Sequence, residues 1–422
     1  MKKKPPISVL WYSNPSWVNS GYGKQTRYIC AGLHKYGYRV GMQPNYGMGA
    51  GTIHEFDGYR IHPQGHDLSM PEAVQACMKY NYDAMITLYD HFVLGPLAKI
   101  VREQRAPWVA YPPMDFTIVN RQLADILNAA TYIVPMCKYG EGLLKRAGFD
   151  NVWKPIYHGV DTDIYKPLTD QWTKDHMRNV WMGWKNKSFV ISCFKMNKGD
   201  RVKIAEQLEG IKIFLNNNPD LQREVGVYLH CLPNVDGGID LTAVQEMLGL
   251  ENMIRFAEPY KYIEGYSEYE MSQLYNASDC VLNCTSSGGF EVCIIESMAC
   301  GTPVVTTDVE VMHELIEPVT PELGVRPISE YWTPAVRKEY QPDVSDIAAK
   351  IELVMKGDPK RYAEILPKYA RETFEFDLVV PQWSEFLEFF RAYKDELCVY
   401  PPATTSEYLK RRARTIVEVA AK

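Results

Sequence analysis

The chain has 422 residues, of which 46% are hydrophobic and 23% charged, and its formal net charge at pH 7 is −6. These values are ordinary for a globular protein, and the length favours two domains, each with a core of its own. The acidic balance argues against general nucleic-acid binding. We interpret the basic run at residues 410–414 as a solvated helix face.

Cysteine and histidine spacing gives no sign of a metal site. The ten cysteines contain no C-x-x-C pair, and the nine histidines contain no H-E-x-x-H. No apolar signal core precedes the first strand, and no apolar run approaches the ~18 residues that span a bilayer. We therefore expect reduced thiols, no metal, no transmembrane segment and a cytoplasmic protein.

The first elements indicate the start of a doubly wound domain. Residues 7–12 are an apolar run typical of a buried parallel strand. A Gly-rich loop with Gly21 and Gly23 follows, then a helical pattern ended by Gly37 and a strand from Tyr38. This G-x-G lacks the third glycine and the acidic residue of a dinucleotide site, which argues against a nicotinamide dehydrogenase.

The alternation of strands and helices continues to Gly148. Strands are predicted at 84–88, 108–111 and 132–135, and helices at 71–80, 94–104 and 121–130, with another ended by Gly148. His91 and Asp115 follow two of these strands. Because polar groups at the carboxyl ends of parallel strands face the ligand crevice, both residues are predicted at the functional edge of the first domain.

A second alternating domain follows residues 158–187, which show little periodicity and are interpreted as the interdomain connection. Strands are predicted at 189–194, 225–230, 254–256, 280–283 and 304–306, and helices at 203–216, 241–248, 268–276, 344–355, 361–373 and 381–393. The predicted fold is α/β, with two Rossmann-like doubly wound parallel-sheet domains. The predicted boundaries are 1–165, 166–380 and a helical segment 381–422 that crosses back to the N-terminal domain.

Residues 283–308 predict a strand, a Ser/Gly-rich turn, a short helix carrying Glu296 and a second strand. Gly301-Thr302-Pro303 ends the helix. Such a turn presents free backbone N–H groups at a helix N-terminus, which is a seat for an anion.

Four segments in order resemble family 4 glycosyltransferases, which have the two-domain GT-B fold. Residues 297–305, SMACGTPVV, nearly repeat the Ala-Met-Ala-Cys-Gly-Thr-Pro-Val-Val of the donor-site signature. Residues 158–167, HGVDTDIYKP, resemble the interdomain segment, residues 20–40 the N-terminal loop and helix, and residues 274–279 the helix entering the donor site. The resemblance spans roughly residues 7–395.

The resemblance implies a retaining glycosyltransferase whose two domains face across a cleft. It implies a UDP- or GDP-linked sugar as co-substrate, with no other cofactor and no metal, and a hydroxyl acceptor, by default a glycan or lipid-linked sugar. Two alternatives stay open. One is glucosylation of modified DNA, as by phage enzymes of this general fold, and the other is a non-catalytic nucleotide-sugar-binding scaffold.

The resemblance also assigns donor-site residues. Backbone groups of Gly288, Gly289 and Phe290 would stabilise the leaving diphosphate, since glycines let the backbone approach closely. Glu296 matches the carboxylate that accepts from the ribose hydroxyls. On the first domain, Gly21 and Gly23 match loop glycines that approach the donor phosphate and the acceptor, and His91 and Asp115 match acceptor and sugar contacts.

A cationic pair should complete the diphosphate clamp. The family uses Arg and Lys five positions apart, and Lys198 and Lys203 have that spacing, with Arg201 in reserve. The other register pairs Lys198 with Cys193 and loses one cation. Lysine binds phosphate as a point charge, whereas arginine gives a bidentate fork.

The chain departs from the family at the start of the signature. The family's first glutamate lies eight positions before its second, and Gly288 occupies that position here, while Glu291 stands where a glycine is usual. Three interpretations stay open: Glu291 contacts the sugar, backbone N–H groups hold it, or transfer is weak or absent.

Overall fold

The computed structural model describes residues 6–46, 54–56, 58–65, 67–168, 171–334 and 336–397. The chain divides into two compact units. The first comprises the chain up to Met114, Ile118–Gly159 and the segment from Phe376 onward, and the second comprises Asp115–Thr117 and Val160–Glu375. The basic run at 410–414 lies outside the described residues.

The first unit is built on a mainly parallel sheet. Its strands are β1 (Ser8–Ser13), β2 (Arg39–Pro44), β3 (His54–Phe56), β4 (Tyr59–Ile61), β5 (Ala84–Leu88), β6 (Trp108–Tyr111) and β7 (Tyr132–Ile133). They lie in the order β3-β4-β2-β1-β5-β6-β7, with β3 antiparallel to β4 and the other pairs parallel. Without β3 this is the order of a doubly wound fold, whose ligand crevice lies between β1 and β5.

Helices connect these strands. They are α1 (Gly21–Lys35), α2 (Met70–Lys79), α3 (Gly95–Gln104), α4 (Arg121–Leu127) and α5 (Lys138–Arg146). The Ser20 side chain caps α1 by accepting from the Gly23 N–H at 3.1 Å, and Ile29, Cys30 and Leu33 are buried on one face of the helix. Capping and apolar spacing together therefore explain where α1 begins and which face it buries.

The second unit repeats the topology. Its sheet contains β8 (Phe189–Cys193), β9 (Val225–Leu229), β10 (Ile254–Phe256), β11 (Cys280–Asn283), β12 (Val304–Thr307) and β13 (Gly324–Val325). All pairs are parallel, in the order β10-β9-β8-β11-β12-β13. The order reverses between β8 and β11, so the carboxyl ends of these two strands define the expected ligand position.

Helices and one hairpin complete this unit. The helices are α6 (Gln171–Met182), α7 (Ile204–Asn217), α8 (Leu241–Leu248), α9 (Pro259–Glu264), α10 (Glu268–Ala277), α11 (Val292–Ala299), α12 (Glu310–Ile316), α13 (Val344–Lys356) and α14 (Pro359–Phe374). Strands β14 (Pro327–Trp332) and β15 (Lys338–Pro342) form an antiparallel hairpin. The sequence analysis did not predict this hairpin.

The predicted connection at 158–187 is corrected, because α6 lies inside it. Polar contacts, together with a short buried apolar face, fix this helix. Arg178 donates to the Ala277 carbonyl at 2.8 Å and pairs with Asp279, and the Trp181 indole donates to Gln273 at 2.6 Å. Hydrogen bonds and ion pairs to residues far away in the chain leave no helical periodicity in the sequence, so the sequence analysis did not predict this helix.

The final helix, α15 (Phe376–Leu397), belongs to the first unit. The buried Trp383 ring meets Trp11 and Tyr111 edge-on, with ring centroids 5.3 and 4.9 Å apart. Val380 lies so close to Gly32 that a Cβ there would come within 2.6 Å of it. The α/β class with two parallel sheets is thus confirmed. No helix in the described ranges is both long and apolar enough to cross a bilayer.

Candidate functional site

The loop at residues 284–291 follows β11 and lies at the switch point of the second sheet. It is buried apart from the partly exposed Phe290. The Thr307 hydroxyl donates to the Thr285 carbonyl at 2.7 Å, the Ser286 N–H donates to the Arg201 carbonyl at 2.9 Å, and the Tyr340 N–H donates to the Ser286 carbonyl at 3.0 Å. Neighbouring segments therefore fix the loop in one conformation, which preorganises it for a ligand.

Glu296 lies on α11, directly after this loop, and is only 4% exposed. The Tyr275 hydroxyl donates to its Oε2 at 2.8 Å. Burial, followed by the Glu296 charge, raises the pKa of both Tyr165 and Tyr275, so the two phenols stay protonated. The carboxylate of Glu296 is thus held in a defined position by Tyr275. That it accepts hydrogen bonds from the ribose hydroxyls stays a prediction.

Glu291 lies in a buried ion pair. Its carboxylate contacts the Lys195 ammonium, and the Arg201 guanidinium is 3.7 Å from its other oxygen. Burial lowers the pKa of Lys195. The sequence analysis did not assign Lys195 to the site, because only its contact with Glu291 reveals its position.

Gly288 and Glu291 form a complementary pair. A Cβ on Gly288 would lie 2.5 Å from Oε1 of Glu291 and 2.9 Å from its Cγ, so the Glu291 side chain fills the space that a residue at 288 would need. The absence of a side chain at 288 and the presence of glutamate at 291 are therefore linked by packing, because both side chains would need the same space.

The three predicted clamp residues have different environments. Lys198 is exposed on the loop after β8. Lys203 is buried, with its ammonium 2.9 Å from Asp200 and 3.4 Å from Glu206. Burial alone would lower the pKa of Lys203, but its hydrogen bonds to Asp200 and Tyr331 and the charge of Glu206 raise it.

Arg201, predicted only as a reserve, directly contacts the loop. One guanidinium N–H donates to the Ser287 carbonyl at 2.9 Å, and the side chain is 39% exposed. Since a guanidinium has five N–H donors, several of them can still reach a bound phosphate.

A second group of residues with polar contacts lies at the start of the loop, of which Ser286, Gly288, Glu310 and Glu339 are buried and Asp115 and Arg337 are half-buried. Oε2 of Glu310 accepts from the Gly288 N–H at 3.1 Å, and the Ser286 hydroxyl donates to Glu339 at 2.7 Å. Arg337 lies 3.2 Å from Asp115 and 3.8 Å from Glu339. Asp115, which the sequence analysis predicted as a site residue, thus lies together with Arg337 and Glu339, which it did not predict.

Burial dominates the electrostatics of two of these carboxyl groups. It raises the pKa of Glu310 to about 8, while the Gly288 N–H opposes the shift and the Asp115 charge adds to it. It also raises the pKa of Asp115, against the opposing charges of Arg201 and Arg337. In the described part of the chain, no group of three or more His, Cys, Asp or Glu side chains is placed to hold a metal ion.

The predicted first-unit residues require one correction. Gly21 and Gly23 lie in the first turn of α1 and not in a loop, because Ser20 already caps the helix. A Cβ on Gly23 would overlap the Val18 carbonyl oxygen, so close packing explains this glycine. His91, nearly buried, begins a 3₁₀ turn directly after β5, and its predicted contact with acceptor or sugar stays a prediction.

Two doubly wound parallel sheets, with a buried Ser/Gly loop at the switch point of the second, define the GT-B class of fold. Residues 202–337 match the family model described as glycosyl transferases group 1. This part of the chain therefore carries a glycosyl transferases group 1 domain, and it includes the 284–291 loop and Glu296. The resemblance found in the sequence is confirmed at this level.

A D-inositol 3-phosphate glycosyltransferase from Corynebacterium jeikeium (strain K411) is 25% identical over 218 residues, which are 50% of this chain and 48% of that protein. The chain thus matches about half the length of this curated relative.

Solved structures share the fold across both units. Sucrose-phosphate synthase from Thermosynechococcus elongatus has a TM-score of 0.70 at 16% identity, over 92% of this chain and 99% of its own. A glycosyltransferase from Rickettsia africae ESF-5 has a TM-score of 0.65 at 13% identity, over 92% of this chain and 99% of its own. Trehalose 6-phosphate synthase from Burkholderia multivorans has a TM-score of 0.64 at 11% identity, over 94% and 100%.

Proposed function

We propose that this protein is a retaining glycosyltransferase that moves a hexose from a UDP- or GDP-linked donor to a hydroxyl acceptor. The observation that carries the proposal is the fixed loop at the switch point of the second sheet, with the buried carboxylate of Glu296 directly after it. The matching family domain covers the same residues.

The loop supplies the chemistry that a diphosphate leaving group needs. Breaking the bond between the sugar C1 and the phosphate oxygen leaves negative charge on the diphosphate, and stabilising such charge is usually the largest catalytic contribution. Arg201 stands beside the loop, partly exposed and already oriented by Ser287, and Lys198 adds an exposed cation. These two residues would neutralise the charge without a metal ion.

In the proposed reaction the acceptor hydroxyl attacks C1 from the face that the diphosphate leaves. Its oxygen forms the new bond to C1, the bond from C1 to the phosphate oxygen breaks, and the hydroxyl proton passes to that phosphate oxygen. The configuration at C1 is retained. No pair of carboxyl groups placed as in glycosidases is then required.

The acceptor is proposed to be a hydroxyl of a glycan or a lipid-linked sugar. Because the curated relative is named for D-inositol 3-phosphate, a phosphorylated polyol belongs in the acceptor panel. Glu296 is proposed to accept from the ribose hydroxyls of the donor.

The test is incubation of the full chain with UDP-glucose and with GDP-mannose, each with the acceptor panel, followed by ³¹P and ¹H NMR. We expect nucleoside diphosphate to appear, together with a product whose anomeric coupling matches that of the donor. A product of opposite configuration would overturn the retaining mechanism. Binding of a nucleotide sugar with neither hydrolysis nor transfer would show a non-catalytic binding protein instead.

A further inference from the structure

Glu310 adopts a backbone conformation that side-chain-bearing residues rarely take. It is the first residue of α12 and has φ of +52°, in the left-handed region that favours glycine. Such backbone strain persists only where the surrounding structure imposes it, and it is concentrated at functional sites.

The strain places a carboxyl group inside the protein with one oxygen unused. Oε2 of Glu310 accepts from the Gly288 N–H at 3.1 Å, whereas Oε1 is buried and makes no hydrogen bond with any residue that the structure describes. The residue is 7% exposed. A buried carboxyl oxygen without a partner is unfavourable, so this atom indicates a ligand.

Nearby residues also carry unused polar atoms. Oδ1 of Asp115, the hydroxyl of Ser287 and Nε of Arg337 are all buried and lack a hydrogen-bond partner within the described ranges. Together with Oε1 of Glu310, these atoms include both hydrogen-bond donors and hydrogen-bond acceptors. A ligand that carries several hydroxyl groups satisfies such a set, because each hydroxyl can both donate and accept.

The charges near these atoms suit a neutral ligand. Arg337 pairs with both Asp115 and Glu339, and the Arg201 charge also acts on Asp115. Because these opposite charges offset one another, the group has no excess positive charge with which to hold a diphosphate, whereas a neutral polyol needs none. The raised pKa of Glu310 also keeps a proton on its carboxyl group near neutral pH, so that it can donate as well as accept.

We propose that Glu310 is the residue that recognises the transferred sugar, by hydrogen-bonding its hydroxyls through Oε1 while Gly288 fixes Oε2. This inference rests on the proposed function, and it assigns the sugar to Glu310 in place of Glu291, which is engaged with Lys195. Asp115, Ser287 and Arg337 complete the sugar-binding group.

The test compares Glu310→Gly with wild type by calorimetric titration of the full chain. Glycine accepts φ of +52°, so this variant removes the carboxyl group without new backbone strain. The ligands are UDP, UDP-glucose, GDP and GDP-mannose. The matched control is Asn186→Gly, which changes an exposed loop position of the same unit whose φ, +57°, is also positive.

We expect Glu310→Gly to weaken binding of the nucleotide sugar by about tenfold or more, as for loss of one hydrogen bond to a charged or strongly polar group. Binding of the matching nucleoside diphosphate should stay within about twofold, and Asn186→Gly should change neither. If both ligands weaken equally, or neither does, the assignment to Glu310 is wrong while the proposed function stands. If wild type binds none of the four ligands, the proposed function fails and the assignment fails with it.

Discussion

The packing of Gly288 against Glu291 makes a quantitative prediction. In Gly288→Ala the new Cβ would lie about 1 Å inside ordinary contact with the Glu291 carboxylate, which must then shift within a buried site. We expect the free energy of unfolding to fall by about 2 kcal/mol, as is usual for overpacking. Glu291→Gly should cost about 3 kcal/mol, because it leaves Lys195 buried without its ion-pair partner.

Exchanging the two residues is the sharper experiment. Gly288→Glu alone forces a second carboxylate against Glu291 and should cost about 4 kcal/mol. In the double variant with Glu291→Gly, the carboxylate at 288 has the vacated space and can pair with Lys195. We therefore expect the two changes together to cost at least about 2 kcal/mol less than the sum of their separate costs.

Urea unfolding of wild type and the four variants, read as the change in the free energy of unfolding, supplies the measurement. Gly142→Ala is the control, because a Cβ at this helical position would meet only the end of the flexible Arg146 side chain, at 3.1 Å, which can move. The reasoning is refuted if Gly288→Ala costs less than about 0.5 kcal/mol, or if the double variant costs the sum of its two components.

Three further predictions concern single residues. Glu296→Gln should weaken binding of UDP-glucose or GDP-mannose by about tenfold or more, measured by calorimetric titration, and unchanged affinity would remove Glu296 from the donor site. Burial raises the pKa of Glu310 from 4.5 to about 8, so the folded state holds a proton that the unfolded state releases. The stability that Glu310 contributes is therefore full below about pH 4.5 and is lost as pH rises to 8. Because Glu310→Gln removes this titrating group, the urea midpoint of the variant should fall less than that of wild type between pH 5.5 and 8.5. Gly23→Ala should lower the melting temperature because of the overlap with Val18, whereas Gly21→Ala, at an exposed helical position, should not.

Sequence reasoning predicted the elements whose burial leaves a local pattern. Strands β5 and β6 were predicted with the bounds that the structure has, because each is a continuous buried apolar run between polar segments. The helix carrying Glu296 and the strand after it were found in the same way. These elements define the α/β topology and the position of the loop.

Residues whose roles depend on distant partners could not be predicted in this way. Lys195 resembles any other loop lysine until its contact with Glu291 is known. Arg337 and Glu339 lie at a hairpin whose first strand is largely exposed and whose second strand is only partly buried, and neither strand carries an apolar alternation. Glu310 was missed because nothing in the amino acid itself indicates a positive φ.

The complementary packing of Gly288 and Glu291 also has an evolutionary consequence. A lineage with glutamate at the first position and glycine at the second needs two substitutions to reach this arrangement, and both intermediates are unfavourable. Two glutamates overlap, and two glycines leave Lys195 without its ion-pair partner. The two positions should therefore change together between branches. Relatives of this protein are then better recognised by the pair, glycine at the first position with glutamate at the second, than by the missing first glutamate. The missing glutamate by itself looks like the loss of an active site.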